Sequence, residues 1–267
     1  MPGLGYGVNP RRQGSIVSPI DPHQPGRIET IASGLIVPDA AVSRPVRRIL
    51  VVNAKGGCGK TTIATNLASY YAARGRHAAL LDYDPQGSSM QWLASRAEGH
   101  FPIHGVAAFR KPTMGMTRSW QMRLPAETER LILDAPAGIH GMPLIDLVRE
   151  ADTIIVPVLP SPIDIHAASH FIKDLLLVAK VRARSIRVGV VANRVRKNTR
   201  VFLSLQRFLD TLNIPFIAYL RDTQNYVQSS EEGLGVCEWQ ANRIQQDRVQ
   251  WKKLASWIEG EEQAPAP

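Results

Sequence analysis

Three observations predict an α/β fold built on a mostly parallel, doubly wound sheet. Short apolar runs alternate with longer amphipathic stretches over most of the 267 residues. The runs are continuous blocks rich in Val, Ile and Leu, as strands buried on both faces must be. The first of them passes through a glycine-rich turn into a helix, which is the layout of a phosphate-binding loop.

The elements follow in order. The first strand falls near 49–53, and the helix after the glycine turn covers 60–73. Ala-Ala-Leu-Leu-Asp places a second strand at 78–82, with a helix at 88–95 behind it. A less regular region spans 96–127, with a strand near 105–109. It gathers Met114, Met116, Trp120 and Met122 among Arg110, Lys111, Arg118 and Arg123, and reads first as core filling, second as a switch or partner surface. Strand 130–134, helix 141–149, strand 152–158, helix 163–181, strand 186–192, helix 199–212 and strand 215–219 continue the alternation. Helices near 224–232 and 241–259 finish it.

Seven Pro and six Gly within the first 48 residues favour a flexible extension. The expected organisation is an extension at 1–47, one α/β domain at 48–260 and a disordered tail at 261–267. No run of 18 apolar residues exists to span a membrane, and the N-terminus lacks the apolar core of a secretory signal. Two cysteines, Cys58 and Cys237, make no disulfide framework. The expected location is the cytoplasm.

Residues 51–66 read Val-Val-Asn-Ala-Lys-Gly-Gly-Cys-Gly-Lys-Thr-Thr-Ile-Ala-Thr-Asn. Gly56, Gly57 and Gly59 let the backbone wrap a polyphosphate and aim its N–H groups inward, around Cys58. The following helix points its positive end at the same anion. Lys60 would neutralise β/γ-phosphate charge, the Thr61 hydroxyl would sit on Mg²⁺, and Thr62 continues the wall. The usual pattern begins with Gly where Ala54 stands, and a second lysine, Lys55, lies inside the loop. A thiol at Cys58 predicts an ATPase sensitive to thiol-modifying reagents.

Lys-Gly-Gly-x-Gly-Lys-Thr-Thr resembles the deviant Walker A motif of the ParA/MinD family, whose nucleotide is ATP. The resemblance implies that Lys55 reaches across a homodimer, with ATP sandwiched, to the partner's phosphates. Asp82-Tyr83-Asp84-Pro85-Gln86-Gly87 resembles the family's second motif, which implies a water-activating role for Asp84 and a place near the metal for Asp82. Leu131 to Gly138 resembles its Walker B and switch segment, and an Asp at a buried strand end, here Asp134, is where such ATPases hold metal. Pro160-Ser161-Pro162 resembles the proline-rich loop after the next strand. Val190-Val191-Ala192-Asn193 resembles the strand whose final Asn reads adenine; a turn residue ending the strand is the other reading of Asn193. The likeness covers about residues 48–258.

The net charge of +9 is concentrated. Residues 180–200 hold eight basic residues and no acid, and without them the chain would carry +1. Such a patch is an electrostatic footprint for nucleic acid, with a solvated helix face as the bland alternative. With no base-reading motif in view, non-specific contacts to phosphates are expected, as in ParA relatives. Arg194, Arg196, Lys197 and Arg200 are the main candidates, and Arg221 is a weaker one.

The resulting expectation is an ATP- and Mg²⁺-dependent dimeric switch, cytoplasmic and nucleoid-associated, that positions a cargo through an adaptor stimulating its ATPase. Local likeness points to orphan positioners of the family, carboxysome-distributing McdA proteins first and plasmid or chromosome partition second. A MinD-like membrane-bound division regulator is the alternative. Val249, Leu254, Trp257 and Ile258 could form a membrane stripe, but the acidic ending Glu259, Glu261 and Glu262 opposes anionic lipid, so packing on the sheet is expected. An iron–sulfur reductase sharing the loop would need paired cysteines between Cys58 and Cys237, and none is there.

Overall fold

The computed structural model describes residues 45–112, 115, 117–177, 181, 185–195, 200–211, 214–239 and 242–261, with backbone alone at 200–202 and 205. The expected extension at 1–47 therefore lies almost wholly outside the described residues, and so does the tail from 262. The α/β domain belongs to one compact unit, Ser43–Pro267.

Seven strands form one sheet: β1 (Arg47–Val51), β2 (Ala78–Asp82), β3 (Ile103–Ala107), β4 (Arg130–Asp134), β5 (Thr153–Val158), β6 (Arg187–Val195) and β7 (Phe216–Arg221). Their order is β3-β2-β4-β1-β5-β6-β7. Every pairing is parallel. The helices are α1 (Lys60–Ala72), α2 (Ser88–Ala94), α3 (Arg118–Gln121), α4 (Gly141–Glu150), α5 (Pro162–Leu177), α6 (Arg200–Thr211), α7 (Asn225–Glu231) and α8 (Gln245–Glu259).

Alternate side chains along β1 and the residue after it show how the sheet is covered. Leu50 and Val52 enter a core shared with Leu144 and Val148 of α4 and Phe171 and Ile172 of α5. Ile49 and Val51 enter the opposite core, with Ile63 and Leu67 of α1, Trp92 of α2 and Trp251, Leu254, Trp257 and Ile258 of α8. Burying Leu254 and Ile258 contributes about 1.5–3 kcal/mol each. The stripe on the last helix thus packs on the sheet as expected, except that Val249 is exposed and Trp251 takes its place. Glu259 closes the helix on Arg130 of β4, with two N–H···O bonds of 2.9 and 2.8 Å.

Several boundaries differ from expectation by a few residues; β1 starts two residues early, at Arg47, and β7 runs on to Arg221. β3 also starts two residues early, at Ile103, where it pairs with Ala78 at the start of β2; Gly105 sits mid-strand, where a Cβ would meet Leu93 of α2 at 2.3 Å. β6 runs on to Val195 through a register shift, with Arg194 at φ 53°. The last helix begins at Gln245, after a separate 3₁₀ turn at Asn242–Ile244. Between β3 and β4, Trp120 on α3 is exposed rather than core, while Met122 packs against the core; Met114 and Met116 lie outside the described residues.

Candidate functional site

The loop after β1 is fixed at both ends. Asn53, buried, donates to the Pro157 carbonyl of β5 at 2.8 Å and accepts from the Lys55 N–H at 3.0 Å. On the far side, the Gly138 N–H bonds the Ala54 carbonyl at 2.7 Å. Gly57 and Gly59 have φ of +73° and +96°, values that disfavour any side chain. Gly56 needs no such freedom. At Gly59 space is also closed, since a Cβ would lie 2.0 Å from Asn193 Nδ2.

Lys60, the first residue of α1, is 6% exposed and its ammonium donates to the Lys55 carbonyl at 3.1 Å. It therefore sits inside the ring of its own loop, beside the first amides of α1, which have no partner within the helix. Lys55 points differently. Its ammonium forms an ion pair with Asp164 on the first turn of α5. Asp164 is buried, and Ser161 holds it by donating its hydroxyl and accepting the Asp164 N–H. Asp164 escaped the sequence reading although it lies in the proline-rich segment; nothing in the chain order brings it to Lys55.

The carboxylates meet at the strand ends. Register places Asp82 beside Asp134, and Asp134 beside Val51 of β1. Asp134 is 1% exposed; burial pushes its carboxyl up to about 6, against the opposing pull of Ser89 and Thr61. Ser89 Oγ donates to its Oδ2 at 2.6 Å, and its Oδ1 has no hydrogen-bond partner. A buried carboxylate oxygen left open beside a threonine hydroxyl fits a hydrated Mg²⁺, which takes oxygen donors and keeps waters. Asp134 and Thr61 would hold it, and it would supply neutralisation of phosphate charge.

Asp82, expected near the metal, ends the strand beside Asp134, and both its oxygens accept backbone amides. Its Oδ1 accepts the Asp84 N–H at 3.0 Å, and its Oδ2 accepts the N–H groups of Ser89 and Met90 at 3.1 and 3.3 Å. Burial raises its carboxyl and these amides oppose the rise. It caps the first turn of α2 from the end of the preceding strand, across the loop that joins them. Asp84 binds the Gln86 N–H at 3.0 Å and the Ala137 N–H at 3.3 Å, joining the loop after β2 to the loop after β4. It is half-buried.

A cavity of about 840 Å³ opens beside the loop, walled by Thr61 and Thr62 of α1, Asn193 and Arg194 of β6, and Asp222 and Thr223 after β7. Asn193 donates to the Cys58 carbonyl at 2.9 Å and accepts the Arg194 N–H at 3.0 Å. It thus clasps the loop as well as facing the cavity. Cys58 is 1% exposed, with its thiol on the Lys55 carbonyl at 3.3 Å. Burial raises that thiol, against the pull of Lys60, so the expected reagent sensitivity is not supported by its surroundings.

The candidates for DNA contact divide. Arg194 is exposed. Arg196 and Lys197 lie outside the described residues, and of Arg200 only the backbone at the start of α6 is described. Arg221 is committed elsewhere: its guanidinium donates to both oxygens of buried Asp247, at 3.0 and 2.6 Å. That ion pair ties β7 to α8 at the residue offered above as the weaker candidate for DNA contact.

Strand, glycine loop, buried lysine and strand-end carboxylates together define a nucleotide-binding protein of the phosphate-binding-loop class. Residues 49–236 match the family described as the CobQ/CobB/MinD/ParA nucleotide binding domain. The protein belongs to that family, as a ParA/MinD-type nucleotide-binding ATPase. It is 28% identical over 192 residues to "Maintenance of carboxysome distribution protein A" of Halothiobacillus neapolitanus, covering 70% of this chain and 85% of that one. The protein of the same name from Gloeobacter kilaueensis is 27% identical over 215 residues, 80% of this chain and 94% of its own. Among solved structures, a Cyanothece McdA variant in complex with ATP superposes with a TM-score of 0.59 at 14% identity, over 84% of this chain and 100% of that one.

Proposed function

We propose that this protein is an ATP-driven dimerising switch that holds to DNA without sequence preference and positions a cargo. The observation that carries the reading is the pair of lysines in one loop. Lys60 is buried where phosphates would lie, while Lys55 turns outward to a different partner. A single mononucleotide site needs only the first. The second suits a site completed by another copy, in which Lys55 leaves Asp164 and meets the partner's phosphates. Thr61 and Asp134 hold Mg²⁺, Asp84 orients the attacking water, and Asn193 reads the base. Slow turnover without a partner follows when charges must be assembled in trans.

The surface that holds DNA is the basic stretch 180–200, with Arg194 at its described end. The relatives named for carboxysome distribution span most of this chain and favour that cargo, with an adaptor protein as the stimulating partner. Plasmid or chromosome partition is the second choice. A membrane role has less support, because Leu254, Trp257 and Ile258 are already buried on the sheet. Among the described residues, no helix is long and apolar enough to cross a membrane.

The test is duplex DNA binding with ATP, with ADP and without nucleotide across a salt series, alongside light scattering for dimerisation. ATP-dependent dimers whose DNA affinity falls with salt support the proposal. Monomers in ATP, or DNA binding that ignores nucleotide, refute it. Binding to anionic liposomes in place of DNA would favour the membrane reading.

A further inference from the structure

Helix α5 carries a feature that the nucleotide site does not use. His166 and His170 are both exposed and lie four residues apart, on one helical face. Their Nε2 atoms are 3.2 Å apart, with ring centroids 4.7 Å apart and planes at 78°. We propose that the two imidazoles form a bidentate surface site for a divalent first-row transition ion of the Zn²⁺ class.

The spacing is the main argument. Nitrogens bound to one ion at about 2.0–2.1 Å are about 3.3 Å apart at a tetrahedral angle, and about 2.9 Å apart at a right angle. The observed 3.2 Å falls within that bite, so the two nitrogens already stand at the separation one shared ion requires. Without an ion, one ring nitrogen simply donates to the other. Donor chemistry sets the ion class: neutral imidazole suits Zn²⁺, Cu²⁺ and Ni²⁺, whereas Mg²⁺ demands oxygen. Such a site would not compete for the Mg²⁺ that Asp134 and Thr61 would hold.

Among the described residues, no third His, Cys, Asp or Glu completes the set. The remaining positions are open to water or to a donor from a second protein. Asp174 lies one further helical turn along the same stripe and adds negative charge nearby. The ion would clip successive turns of the helix whose first turn presents Asp164 to Lys55.

The test is Zn²⁺ titration of the full chain by calorimetry at neutral pH with excess Mg²⁺, for wild type, His166→Ala, His170→Ala and the double variant. Both side chains are exposed, so the variants should fold, and circular dichroism checks that they do. The expected result is one equivalent of Zn²⁺ bound by wild type, weakened about tenfold or more by either substitution and lost in the double variant. Zinc should also shift the ring ¹H–¹⁵N signals of these two histidines in wild type. No binding by wild type, or an unchanged equivalent in the double variant, overturns the proposal and leaves an ordinary imidazole hydrogen bond. Because the readout is zinc, the outcome does not depend on how ATP is used.

Discussion

Gly59 offers a quantitative check on the loop, because two separable terms act there. Its φ of +96° disfavours any Cβ, and a Cβ would also strike Asn193 Nδ2 at 2.0 Å. Gly57, at φ +73°, has nothing within 4 Å and isolates the first term. Gly57→Ala should therefore lose about 1–2 kcal/mol of stability. Gly59→Ala should lose that plus about 1–3 kcal/mol, since Asn193 must leave the Cys58 carbonyl and its buried amide goes unpaired. The assay is urea unfolding of both variants, in wild type and in an Asn193→Ala background. Removing the amide removes the obstacle, so the excess at Gly59 should vanish in that background. Equal losses at the two glycines in wild type would refute the reasoning, and so would an excess that survives without Asn193.

Lys60→Ala should weaken ATP about a hundredfold or more by loss of a charged hydrogen bond of about 3 kcal/mol, read with a fluorescent nucleotide; unchanged affinity would remove the loop from the site. Burial alone would raise the Glu238 carboxyl, but Arg96, the Gly235 N–H and Ser69 outweigh it and hold it below its usual value. A depressed carboxyl stabilises the fold above its unfolded pKa, and that stability is lost as pH falls through the folded one. Unfolding followed from about pH 6 downward should thus show an acid loss that Glu238→Gln flattens, at the expense of stability near neutrality. Both thiols should react slowly with alkylating reagents in the native protein, because burial raises Cys58 and takes Cys237 to about 12; mass spectrometry showing rapid labelling of Cys58 would contradict its burial. Among these outcomes, only the Lys60 result depends on the nucleotide assignment.

Much of the fold was legible in the chain because parallel strands must be apolar on both faces. Ala78–Asp82 and Arg130–Asp134 stand where the apolar runs place them. Boundaries moved where a neighbouring strand set them, as β2 did for the start of β3 at Ile103. The phosphate loop was equally plain, since its glycines, lysine and threonine are contiguous. The roles of the surrounding polar groups were not. Asp82 and Asp134 look alike in sequence, each closing an apolar strand. One caps α2, and the other keeps an oxygen free.

By itself the sequence determined the strand–loop–helix core, the lysine pair and the carboxylate strand ends, because these are set by local spacing and by burial pattern. Only the tertiary structure decided who meets whom. It gave Lys55 to Asp164, far along the chain, Asn193 to the Cys58 carbonyl, and Arg221 to Asp247. The physical reason is that a parallel sheet brings strand ends together through crossovers, and their partners are set by strand order, which no local pattern encodes.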